Sequence, residues 1–270
     1  MSSKALASGG IQRLDRGNAA DQILRDLQNR ILSGALPRGS KLPTEKQLAE
    51  GYGVSTPTVR EAIRSLVAMR LVEVRHGSGA YVTANADELI AVSLMSLIQL
   101  ERICIADVLG VLGVLLTLAA ERAAANATKS DIESMQASLD GIDHAAGGDE
   151  IAAGLTRFLH ALAYASHNPL LTVLCRFLAS LQIGLAKAGT ENSVKSWRKT
   201  VDQLKSHRQR LVDAIRDRDT EAARRCADEY YSTSLKIIGN QPNAHTAWTA
   251  DLDFFEFWNT LPNREEKGKA

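Results

Sequence analysis

Leu42-Pro-Thr-Glu-Lys-Gln-Leu-Ala-Glu-Gly-Tyr-Gly-Val-Ser-Thr-Pro-Thr-Val-Arg-Glu-Ala-Ile-Arg64 reads as two short helices joined by a tight turn. Leu48, Ala49, Tyr52 and Val54 give the first helix and the turn an apolar seam. Val59, Ile63 and Leu66 recur at i, i+4 and i+7 in the second. Gly51 and Gly53 bracket the turn, where positive φ is open to glycine. Ser55 or Thr56 can cap the second helix, and Pro57 falls in its first turn, where the missing N–H costs nothing. With the apolar face buried, Thr56, Thr58, Arg60 and Arg64 point outward, carrying groups that hydrogen-bond bases and phosphates. An ordinary helical hairpin with a charged surface would look much the same. The residues that follow decide between the two.

Leu71-Val-Glu-Val-Arg75 alternates apolar and polar residues, His76-Gly-Ser-Gly79 turns, and Ala80-Tyr-Val-Thr83 alternates again. That pattern predicts a two-stranded hairpin with glycines in its loop. A hairpin directly after the second helix makes a winged helix-turn-helix, whose tip reaches an adjacent groove. Arg75 and His76 give the tip charge and donors, and Gly77 and Gly79 let the backbone approach phosphate. Upstream, Ala20 to Ser33 carries Ile23, Leu24, Leu27 and Ile31 on one face and stops at Gly34 and Pro37.

The run from Ile31 through Ala49, then Gly-Val-Ser-Thr-Pro-Thr-Val-Arg-Glu-Ala and Arg-His-Gly-Ser-Gly-Ala-Tyr-Val, resembles the DNA-binding domain of GntR-family bacterial transcription regulators. The resemblance covers residues 18–84. It implies a basic contact at Lys46, recognition-helix contacts at Ser55, Thr56, Thr58 and Arg60, and wing contacts at His76 and Gly77. Many relatives carry arginine where this chain has Thr56, which implies a different operator.

The chain's 270 residues and 45% hydrophobic content allow two domains with real cores. Residues 1–84 hold 12 Lys+Arg against 7 Asp+Glu, net +5, and residues 85–270 hold 20 against 24, net −4. The positive excess lies on the half expected to meet phosphate. Cys104, Cys175 and Cys226 form no C-x-x-C pair and no even framework, which fits a reducing cytoplasm. Residues 1–17 are polar and expected to be disordered. Val108 to Ala120 is an uncharged run of 13 residues, too short for a bilayer, so no membrane is expected.

From residue 85 to 239 helical patterns dominate. Helices are predicted over Asp87–Arg102, Ile105–Asn126, Thr128 to His144, Glu150–Ser166, Pro169–Lys187, Ser193–Arg218 and Thr220–Ile238. Thr128 with Asp131 three positions on predicts a capping box. The expected fold is mainly α: a winged helix-turn-helix with a small β-hairpin wing, then an antiparallel bundle of six or seven helices. Residues 240–270, with Trp248, Phe254, Phe255, Phe257 and Trp258, form an aromatic extension.

A winged helix followed by a helical bundle is similar to the FadR subfamily, and Ala163–Leu171 and Leu211–Ala223 match its effector-domain landmarks. Many such domains hold a divalent metal with an Asp and a His one helical turn apart and two later histidines. The Asp and first His positions fall on Leu155 and Leu159, the other two on Arg208 and Tyr230. His160 and His207 each stand one residue off register, a rotation of about 100° on a helix. No metal and no other cofactor is therefore expected. Relatives also place Arg and Glu on the inward face of the helix over Ile105–Ala120, where this chain has Val108, Leu109 and Leu112.

A pocket without metal or that charge favours an apolar or amphipathic effector, such as an acyl or aromatic carboxylate, over a small hydroxy-acid. Its candidate residues are Leu112, Arg157, Leu159, Arg208 and Tyr230. Tight core or dimer packing, with Gly110 and Gly113 admitting a close helix, is the competing reading. No triad, glycine-rich phosphate loop or H-E-x-x-H spacing is present, so no catalytic residue is assigned. The expected protein is a homodimeric repressor of a palindromic operator in double-stranded DNA, with Lys46, Ser55, Thr56, Thr58, Arg60, Arg64, Arg75, His76 and Gly77 at the duplex and a small-molecule effector in the bundle. A ligand-independent architectural DNA-binding dimer and a metal-binding effector domain of enzyme ancestry are the alternatives.

Overall fold

The computed structural model describes residues 19–188 and 194–239, and the chain divides into two units between Leu89 and Ile90. The expected disordered N-terminus and the aromatic extension lie outside the described residues.

In the first unit, α1 (Ala19–Leu32), α2 (Glu45–Tyr52) and α3 (Thr56–Ala68) precede an antiparallel hairpin of β1 (Val72–Arg75) and β2 (Gly79–Val82). Ile23, Leu27 and Ile31 of α1 share one buried cluster with Leu48, Ala49 and Tyr52 of α2 and with Val59, Ile63 and Leu66 of α3. These are the seams that the spacing predicts. The hairpin joins the cluster through Val72 and Val82, whose Cα atoms pair across the ladder. Tyr52 ties α2 to α1 by donating its hydroxyl to Asp26.

α2 opens on a capping box that the sequence reading passed over. Thr44 Oγ1 accepts from Gln47 N at 3.3 Å, and Gln47 Oε1 accepts from Thr44 N at 2.9 Å. The turn differs from expectation in one detail. Gly53 adopts φ +70 and closes α2, but Gly51 lies within the helix. The turn therefore needs a single glycine.

α4 (Ala86–Leu100) runs across the division between Leu89 and Ile90, and the rest of the second unit is helical among its described residues: α5 (Ile105–Asn126), α6 (Lys129–His144), α7 (Gly148–Ala165), α8 (Pro169–Ala188), α9 (Val194–Asp202), α10 (Lys205–Arg216) and α11 (Thr220–Gly239). The one helix expected over Ser193–Arg218 is two, because the chain turns at Leu204, which takes φ −102 and ψ 2 and sends its side chain into the core. The capping box at Thr128 is present, with Asp131 Oδ2 accepting from Thr128 N at 2.7 Å. His167 Nε2 lies 3.0 Å from the same oxygen. Burial raises the Asp131 carboxyl, but the Thr128 amide, the Thr128 hydroxyl and His167 together outweigh it and hold the group low.

α5 is the hub, packing on α7, α8, α10 and α11. At 22 residues it is longer than its uncharged run, and by length and composition it could cross a membrane. Leu112, Leu116, Ala119, Ala120 and Ala123 are fully buried in the bundle, which is the pattern of a core helix. An added Cβ on Gly113 would stand 3.2 Å from Tyr231 Cβ, so α5 and α11 touch closely there.

The α6–α7 contact is closer still. A Cβ on Gly154 would meet Ile142 Cγ1 at 2.7 Å, and Ile142 is itself buried. Gly154→Ala should lower stability in urea unfolding by about 1–3 kcal/mol, although alanine is the better helix former by roughly 1 kcal/mol. At Gly141 the added carbon would meet only the tip of Arg157, at 3.6 Å. Gly141→Ala should shift the urea midpoint the other way, and the reverse order would contradict this packing.

His160 fastens α7 to α8, with Nε2 3.1 Å from the Arg176 carbonyl and 3.2 Å from Ser180 Oγ. Burial, with the Arg176 charge adding to it, pushes the imidazole down to about 4 from 6.5. The unfolded chain thus takes up a proton between these values that the folded chain refuses. Stability should fall as pH drops from 6.5 towards 4, by on the order of 2–3 kcal/mol from this group. His160→Gln should flatten that limb of the stability–pH curve; an unchanged limb would rule the residue out.

Candidate functional site

The seam fixes which face of α3 is free. Val59, Ala62, Ile63 and Leu66 point inward, leaving Arg60 and Arg64 exposed one turn apart. Thr56 and Thr58 are half-buried at the start of the helix. Ser55 stands at the N-cap but does not bond a backbone amide. Its Oγ lies 2.8 Å from Thr58 Oγ1, so the two hydroxyls satisfy each other. The amides at this helix end then have no side-chain cap, which suits an anion.

Arg60 is held by α2. Its Nε lies 3.2 and 3.3 Å from the two carboxylate oxygens of Glu45, and Nη2 donates to Oε2 at 2.8 Å. The bonded carboxylate raises the guanidinium further above its usual range. Arg64 makes no hydrogen bond or ion pair among the described residues. Lys46, also exposed, lies 3.9 Å from Glu50 one turn on.

The wing tip turns through His76 and Gly77, closed by Ser78 N donating to the Arg75 carbonyl at 2.9 Å. Gly77 has φ +71, and Arg75, His76 and Gly77 are all exposed. The Arg75 guanidinium carbon is 4.6 Å from the Tyr81 ring centroid, a cation–π distance that steadies the side chain.

One residue of this surface was missed. Residues 39–42 run along β2 without forming a strand, with Leu42 N donating to the Ala80 carbonyl at 2.8 Å and Val82 N to the Ser40 carbonyl at 2.9 Å. Lys41 bridges to Tyr81 and sets its ammonium 5.9 Å from the ring that Arg75 also approaches. The sequence signal was a lone lysine between two prolines, too weak to find it.

The second candidate site is in the bundle. Leu155, Leu159, Arg208 and Tyr230, scattered over α7, α10 and α11, line one cavity of about 30 Å³ together with Gln182 and Trp197. These four are the positions that the family resemblance assigns to metal ligands, and the structure brings them together. They do not fit a metal. Two are aliphatic, Arg208 is a permanent cation, and burial raises the Tyr230 phenol, with the Arg208 guanidinium opposing it. Among the described residues no cluster of three His, Cys, Asp or Glu is placed to hold an ion.

Two expected pocket residues are elsewhere. Leu112 is sealed in the core of α5 and does not line the cavity. Arg157 points from α7 into a separate open cleft of about 280 Å³ with His160, Tyr164 and Arg176. It stands two residues past Leu155, which on a helix is the opposite face.

Comparison with known proteins agrees with this geometry. Residues 19–82 match the family described as bacterial regulatory proteins, gntR family, and residues 107–233 match the FCD domain. The HTH-type transcriptional regulator LutR of Bacillus subtilis is 30% identical over 186 residues, 68% of this chain and 85% of LutR. The galactonate operon transcriptional repressor of Escherichia coli is 28% identical over 82% of this chain and 97% of its own. In fold, Streptococcus agalactiae GntR superposes with a TM-score of 0.63 at 22% identity, over 80% of this chain and 99% of that one. A winged helix-turn-helix with a free basic face, followed by an FCD bundle, places this chain in the GntR family of bacterial transcription regulators.

Proposed function

We propose that the protein is a cytoplasmic, homodimeric repressor that binds a palindromic operator through α3 and the wing and answers a small-molecule effector held in the bundle. The exposed pair Arg60 and Arg64 carries the reading. Side chains one turn apart on a free helix face can enter the major groove together, reading guanine edges or clamping phosphate. Lys46, Ser55, Thr56 and Thr58 flank that entry, while Arg75, His76 and Gly77, joined by Lys41, follow the wing to the neighbouring groove.

Repression is supported by the galactonate operon relative, which is named a repressor. The ligand-independent reading draws on the small cavity and the close α5–α11 contact. Against it stands the buried guanidinium of Arg208, which has no carboxylate partner among the described residues.

Arg60→Ala should weaken specific operator binding on the order of ten- to hundred-fold in a gel shift on the protein's own promoter region. Arg64→Ala should lower binding more evenly across sequences and reduce its salt dependence. Unchanged affinity in the Arg60 variant would count against α3 as the reading element.

The dimer is supported by an apolar stripe on α5. Val111, Val114 and Leu118 are 57%, 71% and 45% exposed, one turn apart, and Gly110 beside them leaves room for a second helix. Val114→Glu should give a monomer in sedimentation and lose tight binding to the two-half-site operator. A variant that stays dimeric would place the interface elsewhere.

A further inference from the structure

Arg60 and Arg64 stand one turn apart on the free face of α3, yet only Arg60 is held by a neighbour. The two oxygens of Glu45 lie 3.2 and 3.3 Å from Arg60 Nε, and Oε2 accepts from Nη2 at 2.8 Å. Arg64 makes no hydrogen bond or ion pair among the described residues. The Arg60 and Glu45 side chains are 52% and 35% exposed, so their pairing adds little to stability. What it changes is the freedom of the guanidinium.

Both ends of the pair are on fixed backbone. Glu45 is the first residue of α2, directly after Thr44 and within the Thr44–Gln47 capping box, and Leu48 three residues on is buried in the core of the first unit. Arg60 follows Val59, which is fully buried in the same cluster. The carboxylate therefore meets the guanidinium from one anchored helix to another.

A guanidinium carries five N–H donors in one plane. Glu45 takes the edge formed by Nε and Nη2. The other edge, one N–H from each Nη, is left over, and it matches O6 and N7 of a guanine. Arg60 is thus a donor with one open edge, already ordered before a duplex arrives. The same carboxylate works against loose contact. It offsets the charge of Arg60, so a phosphate gains less by approaching Arg60 than by approaching Arg64.

We propose that Glu45 is a positioning residue for operator reading. It presents the open edge of Arg60 to a guanine and weakens the arginine's attraction to phosphate, so it raises discrimination between operator and random duplex. Arg64, without such a partner, is left to clamp phosphate. The assignment rests on the reading of α3 as the DNA-facing helix and adds the residue that sets its selectivity.

The test titrates the full chain, by fluorescence anisotropy over a range of salt, with a duplex from its own promoter region. A shuffled duplex of the same length and composition is the comparison. Glu45→Ala should weaken promoter binding on the order of ten-fold and tighten shuffled binding by about three-fold. Because Arg60 is released to phosphate, the salt dependence should steepen by about one counterion. Glu45→Gln, which keeps the length and one acceptor oxygen, should restore part of the discrimination. In an Arg60→Ala background, Glu45→Ala should no longer weaken promoter binding. Thermal midpoints of these variants should stay close to the parent's.

A loss shared equally by both duplexes would make Glu45 a structural residue of α2 and overturn the proposal. Unchanged discrimination in Glu45→Ala would overturn it too, as would a loss that persists in the Arg60→Ala background. Arg60→Ala alone judges the underlying reading. If that variant binds the promoter duplex like the parent, the reading of α3 fails. If it loses binding while Glu45→Ala keeps its discrimination, only the assignment of Glu45 fails.

Discussion

Val59, Ile63 and Leu66 are buried in one cluster with Ile23 and Leu27 of α1 and Leu48 of α2, and this seam leaves α3 a single free face. The other features of the DNA-facing unit follow from it. Because the seam runs along i, i+4 and i+7, Arg60 and Arg64 fall outside it, one above the other. Because α2 lies across the start of α3, Glu45 can reach Arg60 and hold its guanidinium in a defined place before any duplex arrives. Because the hairpin enters the same cluster through Val72 and Val82, the wing tip is anchored to the body that carries α3. A polar residue at Val59 would disturb all three at once.

The bundle obeys a different constraint. Its hub, α5, is so apolar that its inward face offers nothing to a polar ligand, and Gly113 lets α11 close on it. Arg208, Trp197 and Gln182 keep unbonded polar atoms around one cavity, and the Tyr231 hydroxyl, on the helix that closes on Gly113, is buried without a partner as well.

Much of this was legible in the sequence, for physical reasons that differ by element. The start of α6 was set by a local signal, the Thr128–Asp131 box. The winged unit was legible because periodicity and turn residues agree along its whole length. The break at Leu204 was not, since no Gly or Pro marks it and no side chain caps the helix that follows. The meeting of Leu155, Leu159, Arg208 and Tyr230 in one cavity joins residues far apart in the chain, and only the family resemblance grouped them. Arg157 was misplaced for the reverse reason: its chemistry suited the pocket, but its position on α7 faces the other side. Lys41 escaped because its place near the wing comes from a backbone bridge to Tyr81 that leaves no mark on its own neighbours.

Cys175, on α8, is wholly buried, and burial pushes its thiol up to about 12. At neutral pH its reactive thiolate is scarcely present, and a reagent reaches the sulfur only when α8 lifts from its neighbours. Cys104 and Cys226 are only partly covered. The chain therefore carries a native chemical clock: two thiols report on the surface, and the third marks the moments at which the bundle breathes.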